Sequence, residues 1–216
     1  PHPHPGTPVV DRLETAGHKL ADRAIVNDAI SAIQKQVPDW SNNKDVDVII
    51  TTGGASRGAE DHMLAVLDRL GKRHVWQLAV KPGRPMMFGQ IPRSKHKSDC
   101  FFFGLPGNPV AAMVCFLVYV RPTLLALSGA TWSEPIRYSV PADFEMTSKK
   151  PDRREFLRGI LVSSDEGTTK VQKFDRDGSG LISSLRQSDG LIEIAENVTR
   201  ISRGELVNFI PYSALF

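Results

Sequence analysis

From Thr7 onward, Val9, Val10 and Leu13 share one side of a helix, with Pro8 in its first turn and Gly17 as its stop. Leu20 to Val26 reads as a strand. Asn27 or Asp28 then caps a second helix that presents Ile30, Ile33 and Val37 and ends near Pro38. A polar loop, Ser41 to Lys44, leads to the β-branched run Val46 to Thr52, a strand that exits into Gly53-Gly54. His62 to Leu70 repeats the helical pattern through Met63, Val66, Leu67 and Leu70, closed by Gly71. Val75 to Val80 and Met86 to Ile91 follow as strands, and Pro92 to Asp99 reads as an exposed basic hairpin tip. Cys100 to Gly104 returns as a strand. From Asn108 an apolar helix extends from Val110 to about Leu127, with Arg121-Pro122 inside it and Gly129 at its end.

After Thr131 the helical period disappears. Ile136 to Val140, Phe156 to Leu161, Lys170 to Phe174, Leu191 to Ile194 and Leu206 to Ile210 are short strands separated by Gly, Asp and Ser, the pattern of a small all-β domain. The chain therefore divides at Ala130 to Glu134, into residues 1–131 and 132–216. Alternating strands and helices in the first part predict a parallel sheet covered on both faces, with ligands at the carboxyl ends of the strands. Because the chain opens on a helix, such a domain lacks its first strand, and the sequence is expected to be a fragment. The nearly all-round apolar helix after Asn108 needs cover on every side, which favours a homodimer.

Composition narrows the classes. A net charge of +3 from scattered basic residues gives no case for nucleic acid. Cys100 and Cys115 lie in apolar runs without metal-ligand spacing and read as packed, reduced thiols. Pro1 to Pro5 lacks the regions of a signal peptide, and the apolar run Val110 to Val120, about eleven residues, is too short to span a bilayer. A cytoplasmic protein without a membrane partner is expected.

The chemistry gathers at three strand exits. Thr51 to Asp61 (TTGGASRGAED) pairs glycines that let the backbone approach a ligand with a helix start that favours anions. Ser56 adds a hydroxyl, Arg57 a charge, and Glu60 and Asp61 suit a cation such as Mg²⁺. Lys81-Pro82-Gly83-Arg84-Pro85 and Leu105-Pro106-Gly107-Asn108-Pro109 have the same character, and one shared pocket is expected. Gly54 to Gly58 also matches the G-x-S-x-G turn of serine hydrolases, yet only His62, His74 and His96 follow it, none placed as a triad needs. Asp175 to Gly178 resembles a calcium loop but lacks its spacing and closing Glu, and reads as a turn. Arg153, Arg154 and Arg158 around Phe156 suit a solvated strand face as well as an anion site.

In order and spacing, Thr52 to Asp61, Lys81 to Pro85, Phe88-Gly89 and Leu105 to Ala112 resemble the molybdopterin molybdenumtransferases, the family of MoeA, the gephyrin E-domain and its plant counterpart. Arg154 to Gly159 and Gly178 to Ser184 resemble that family's C-terminal β domain. The resemblance implies a MogA-like three-layer α/β domain followed by a small β-barrel-like domain. It also implies insertion of molybdenum from molybdate into adenylylated molybdopterin, with release of AMP and dependence on Mg²⁺ or another divalent cation. Carried over residue by residue, Asp61, Lys81 and Arg84 are the catalytic group, and Asp61 also holds the metal. Gly53, Gly54, Ser56, Gly58, Pro106, Gly107, Asn108, Pro109, Arg154, Ser179 and Ser184 line the substrate site. Arg57 departs from the small apolar residue common in relatives, and the family's N-terminal domains are not in this sequence, so little activity is expected of the chain alone. A scaffold role of the gephyrin type is the alternative from another class.

Overall fold

The computed structural model describes residues 7–27, 29–53, 62–93, 98–131, 133–163, 167–174 and 183–215. The chain forms two units: residues 1–78 with 83–116, and residues 79–82 with 117–216.

In the first unit the helices are α1 (Thr7–Thr15), α2 (Ile30–Ser41), α3 (His62–Leu70) and α4 (Pro109–Cys115). The strands are β1 (Val48–Thr52), β2 (Lys72–Trp76), β4 (Met87–Ile91) and β5 (Cys100–Leu105), in the order β1-β5-β4-β2; β3 (Val80–Lys81) belongs to the second unit. The sheet is mixed. β1 runs parallel to β5, but β4 is antiparallel to both β5 and β2, which corrects the expectation of a parallel sheet throughout. The reason is connection length: the segment from Pro92 to Asp99 suffices for a hairpin, whereas a parallel return needs a crossover of a dozen or more residues. Ile33 and Val37 of α2 and Met63, Val66 and Leu67 of α3 pack with Ile49, Met87, Ile91, Cys100 and Phe102 in one core. On β4, Met87, Gly89 and Ile91 are buried while Phe88 and Gln90 are half-buried, the period-2 alternation of a strand. Phe88 stacks on Phe101 and Phe103 across its neighbour.

Several sequence expectations shift. Leu20 to Val26 forms no strand. The residue before α2 is Ala29, without a side-chain cap, and the helix runs through Pro38 to Ser41. The run Val75 to Val80 is split: Gln77 takes φ +65°, ending β2, and Val80–Lys81 (β3) joins the other unit's sheet. The apolar helix after Asn108 continues as a π-helical turn (Phe116–Val120) and α5 (Arg121–Leu127). Pro122 supplies no N–H and crowds the carbonyl four residues before it, and a widened turn just ahead of it relieves both. From Pro109 to Leu127 this run is long and apolar enough to cross a membrane, unlike the shorter apolar stretch read from sequence, but 56% of it is buried within the protein, as in a core helix.

In the second unit β6 (Tyr138–Pro141), β7 (Arg154–Ser163), β8 (Thr169–Lys173), β9 (Gly190–Ile194) and β10 (Leu206–Pro211) join β3, in the order β3-β7-β9-β10-β6 with β8 on β7. All pairs are antiparallel except β3 with β7. Ala142, just past β6, bridges to Val171 of β8, and Asp143 N donates to Val171 O at 2.8 Å, so the strands curl until the end of β6 meets β8. Val140, Ala142, Phe144, Val171, Ile192, Ile194, Ile201, Val207 and Phe209 fill the interior. A short helix, α6 (Ser183–Arg186), precedes β9.

Candidate functional site

Because β1 and β5 are parallel and in register from Val48↔Phe101 to Thr52↔Leu105, their carboxyl ends lie side by side. Gly53 leaves β1 with φ +95°, a conformation that only glycine adopts without strain, and its N–H donates to Leu105 O at 3.1 Å. Beyond Leu105, Pro106 is buried and Gly107 passes so near that a Cβ on it would stand 3.4 Å from Gly53 Cα. Thus two of the three expected Gly/Pro turns meet at one end of the sheet. Asn108 caps α4: its Oδ1 accepts from Val110 N and Ala111 N, each at 3.1 Å, with Pro109 in the first turn. Those two amides are committed to the cap, so Asn108 shapes the turn.

The third turn divides. Gly83 takes φ +117°, its carbonyl lies 3.6 Å from the Cys115 thiol, and the exposed Arg84 belongs to the first unit. Lys81 belongs to the second unit, where β3 and β7 align Val80 with Arg154 and Lys81 with Glu155. Lys81 Nζ lies 3.2 Å from Glu155 Oε2, and the carboxylate is buried while the ammonium is half exposed. Arg154 N donates to Ala79 O, which brings Arg154 and Lys81 together on adjacent strands. The Arg154 guanidinium bonds to Glu196 through Nε (3.1 Å) and Nη2 (3.2 Å), and to Glu193 through Nη1 (2.8 Å). Glu196 chiefly, with Glu193 assisting, raises its pKa above the ordinary value. Glu193 also accepts from Arg137 Nε at 2.5 Å, so one buried carboxylate joins two guanidiniums. That bond is the main reason the Arg137 pKa is raised.

Ser184 is 0% exposed, and Ser188 Oγ donates to its carbonyl at 2.8 Å while lying 3.0 Å from Tyr212 Oη. Its side chain faces the interior. Gly54, Ser56, Gly58, Asp61 and Ser179, like the calcium-like Asp175 to Gly178 turn, lie outside the described residues. Among the described residues no group of three or more His, Cys, Asp or Glu side chains is placed to hold a metal ion. For the hydrolase alternative, His74 sits on β2 at the opposite edge of the sheet from β1, 2.6 Å from Gln90 Oε1.

Sequence reasoning missed Glu155 and Glu193. A signal existed for the second: Glu193 stands alone in the apolar run Leu191 to Ile194, and a carboxylate in a buried strand needs a cationic partner.

Comparison with known proteins agrees with this architecture. Residues 6–126 match the family described as probable molybdopterin binding domain, and residues 140–212 match the MoeA C-terminal region (domain IV). The molybdopterin molybdenumtransferase of Haemophilus influenzae is 35% identical over 170 residues, 78% of this chain and 40% of that protein. The molybdenum cofactor synthesis protein cinnamon of Drosophila melanogaster is 34% identical over 177 residues, 79% of this chain and 27% of that protein. A crystal structure of the molybdopterin biosynthesis MoeA protein from Pyrococcus horikoshii superposes with a TM-score of 0.74 at 25% identity, covering 96% of this chain and 47% of that one. The chain thus spans less than half the length of these relatives. Two family regions matched in order, on a fold shared with a solved MoeA protein, show that the chain belongs to the MoeA family of molybdopterin molybdenumtransferases.

Proposed function

We propose that this chain serves molybdenum cofactor biosynthesis by binding adenylylated molybdopterin and molybdate, as part of a protein that inserts molybdenum and releases AMP. The observation that carries the reading is the meeting of the Gly53 and Gly107 turns at the ends of two parallel strands, where main-chain groups can approach a phosphorylated ligand without side chains intervening. Residues 1–131 form the molybdopterin-binding domain and residues 132–216 the C-terminal domain. Gly53, Gly54, Ser56 and Gly58 line the phosphate or pterin, and Pro106 to Pro109 shape the pocket wall. Arg84 supplies positive charge that no described side chain neutralises. Lys81 and Arg154 act through ion pairs with Glu155, Glu193 and Glu196, so they bring less net charge than their number suggests. Ser179 completes the set; Ser184, being buried, acts by holding α6 in place. The described residues do not form a cation site by themselves, and a role for Mg²⁺ rests on Asp61. The assembly is a cytoplasmic homodimer.

Calorimetric titration of molybdate and adenylylated molybdopterin into the chain, with and without Mg²⁺, tests this reading. Binding that weakens in both Asp61→Ala and Arg84→Ala supports it. A folded chain that binds neither compound, or binds them unchanged in both variants, rejects a ligand site at these turns.

A further inference from the structure

The second unit holds a cavity of about 320 Å³ that is lined only by its own residues. The floor is apolar and buried, made by Leu117, Phe156, Ile210 and Leu215. Tyr119, Pro122 and Pro135 form half-buried walls around it. Small-molecule sites run from about 300 to 1,000 Å³ and combine apolar walls with a few fixed polar groups, so this cavity has the size for one ring and a short polar arm. On β7 the side chains of Arg154 and Phe156 leave the strand opposite to that of Glu155, which pairs with Lys81. The cavity and the Lys81–Glu155 pair therefore lie on opposite faces of that strand.

Two features set it apart from a gap in packing. One wall is the π-helical turn Phe116–Val120, which contributes Leu117, Val118 and Tyr119; such turns are rare and recur at functional sites. The other feature is charge. Arg137 donates to the buried Glu193 and to Glu134, and Arg154 donates to Glu193 and Glu196, so carboxylates compensate both guanidiniums and hold them in place. Arg121 lines the same cavity and has no carboxylate partner among the described residues. A guanidinium can hold a carboxylate through two parallel N–H···O bonds. Aromatic and proline surface beside one uncompensated cation suits a ring that carries a single negative charge.

We propose that this cavity is a second binding site, for a small aromatic monocarboxylate whose ring rests among Tyr119, Pro122 and Phe156 and whose carboxylate pairs with Arg121. This proposal is independent of the phosphorylated-ligand reading, and either can fail without the other.

The test is a titration of phenylacetate into the isotopically labelled chain, followed by the shifts of individual amides, with phenylacetamide as the neutral isostere. Phenylacetate is expected to move the amides of Val118, Tyr119, Arg121 and Ala214 saturably. Removing the charge from either partner, by phenylacetamide or by Arg121→Gln, is expected to weaken binding about tenfold, the effect of one charge-assisted pair. Ala214 lies in the turn Tyr212–Ala214 at the cavity wall, so Ala214→Phe fills the space and abolishes the saturable shifts. Should that variant not fold, the comparison of Arg121→Gln with the parent chain decides alone. The proposal is overturned if phenylacetate gives no saturable shifts, if phenylacetamide binds as tightly, or if Arg121→Gln binds like the parent. Shifts gathered on the Gly53 and Gly107 turns instead would assign the acid to the other site and likewise overturn it.

Discussion

Arg93 illustrates how a single side chain ties separate main-chain segments together. Buried at the base of the hairpin between β4 and β5, it donates from Nε to Ser98 O (2.7 Å), from Nη1 to Val46 O (2.8 Å) and from Nη2 to Ser98 Oγ (3.0 Å). Removing it leaves two carbonyls without donors, so Arg93→Ala is expected to cost about 2–4 kcal/mol in denaturant unfolding. Arg93→Lys recovers little, because one ammonium cannot reach three separated acceptors in a plane. Glu193 has the complementary role: Glu193→Ala strands Arg137 and Arg154 and is expected to cost about 2–3 kcal/mol, somewhat less than a fully buried pair because both guanidiniums are partly exposed. Burial pushes the thiol of Cys100 up from 9.0 to about 11 and that of Cys115 to about 12. A raised folded-state value means that stability is intact below the unfolded value and is lost as pH climbs from about 9. Denaturation midpoints should therefore fall between pH 9 and 11, and fall less steeply in Cys115→Ala. Among the described residues expected at the site, the places of Gly53 and Gly107 in turns were legible because turns demand glycine. The partners of Lys81 and Arg154 were not, since Glu155 and Glu193 meet them only through strand pairing.

At the scale of elements, most helices and strands follow from apolar period, and the exceptions have local causes. Gly17 and Gly129 end their helices with φ near +80°, as their positions suggest. Gln77, a residue with no glycine-like licence, adopts φ +65° and divides one apolar run between two sheets, which no periodicity reveals. Leu20 to Val26 has a strand's composition but forms no strand, because a strand exists only by pairing with another. The entry to α4 offers a clean separation of structural from chemical roles. Asn108→Ala removes the double cap and is expected to cost about 1 kcal/mol of stability. Asn108→Asp restores the cap, so ligand binding that recovers with it marks Asn108 as a shaper of the turn. Binding that stays lost would mean that its amide touches the ligand.

For the molecule as a whole, period 3.6 gives way to period 2 after Thr131, which places the expected division there, whereas the second of the two compact units already begins at Leu117. Nor does periodicity reveal that Ala79 to Pro82 join the second unit, a three-dimensional fact about where one short strand pairs. The parallel sense of the sheet was overestimated for the same reason: direction is set by which strands become neighbours. Each unit has its own apolar core, so Arg93→Ala should accelerate amide exchange in the first and Glu193→Ala in the second, and acceleration of both by either variant would reveal a single cooperative unit. The two buried thiols have a use beyond their packing. Each is 0% exposed, so neither should react with a maleimide at neutral pH while the chain is folded. A lone cysteine introduced on the turn after Leu105 would then be the single reactive handle, and a spin or fluorophore label there could report on ligand arrival in an otherwise unmodified chain.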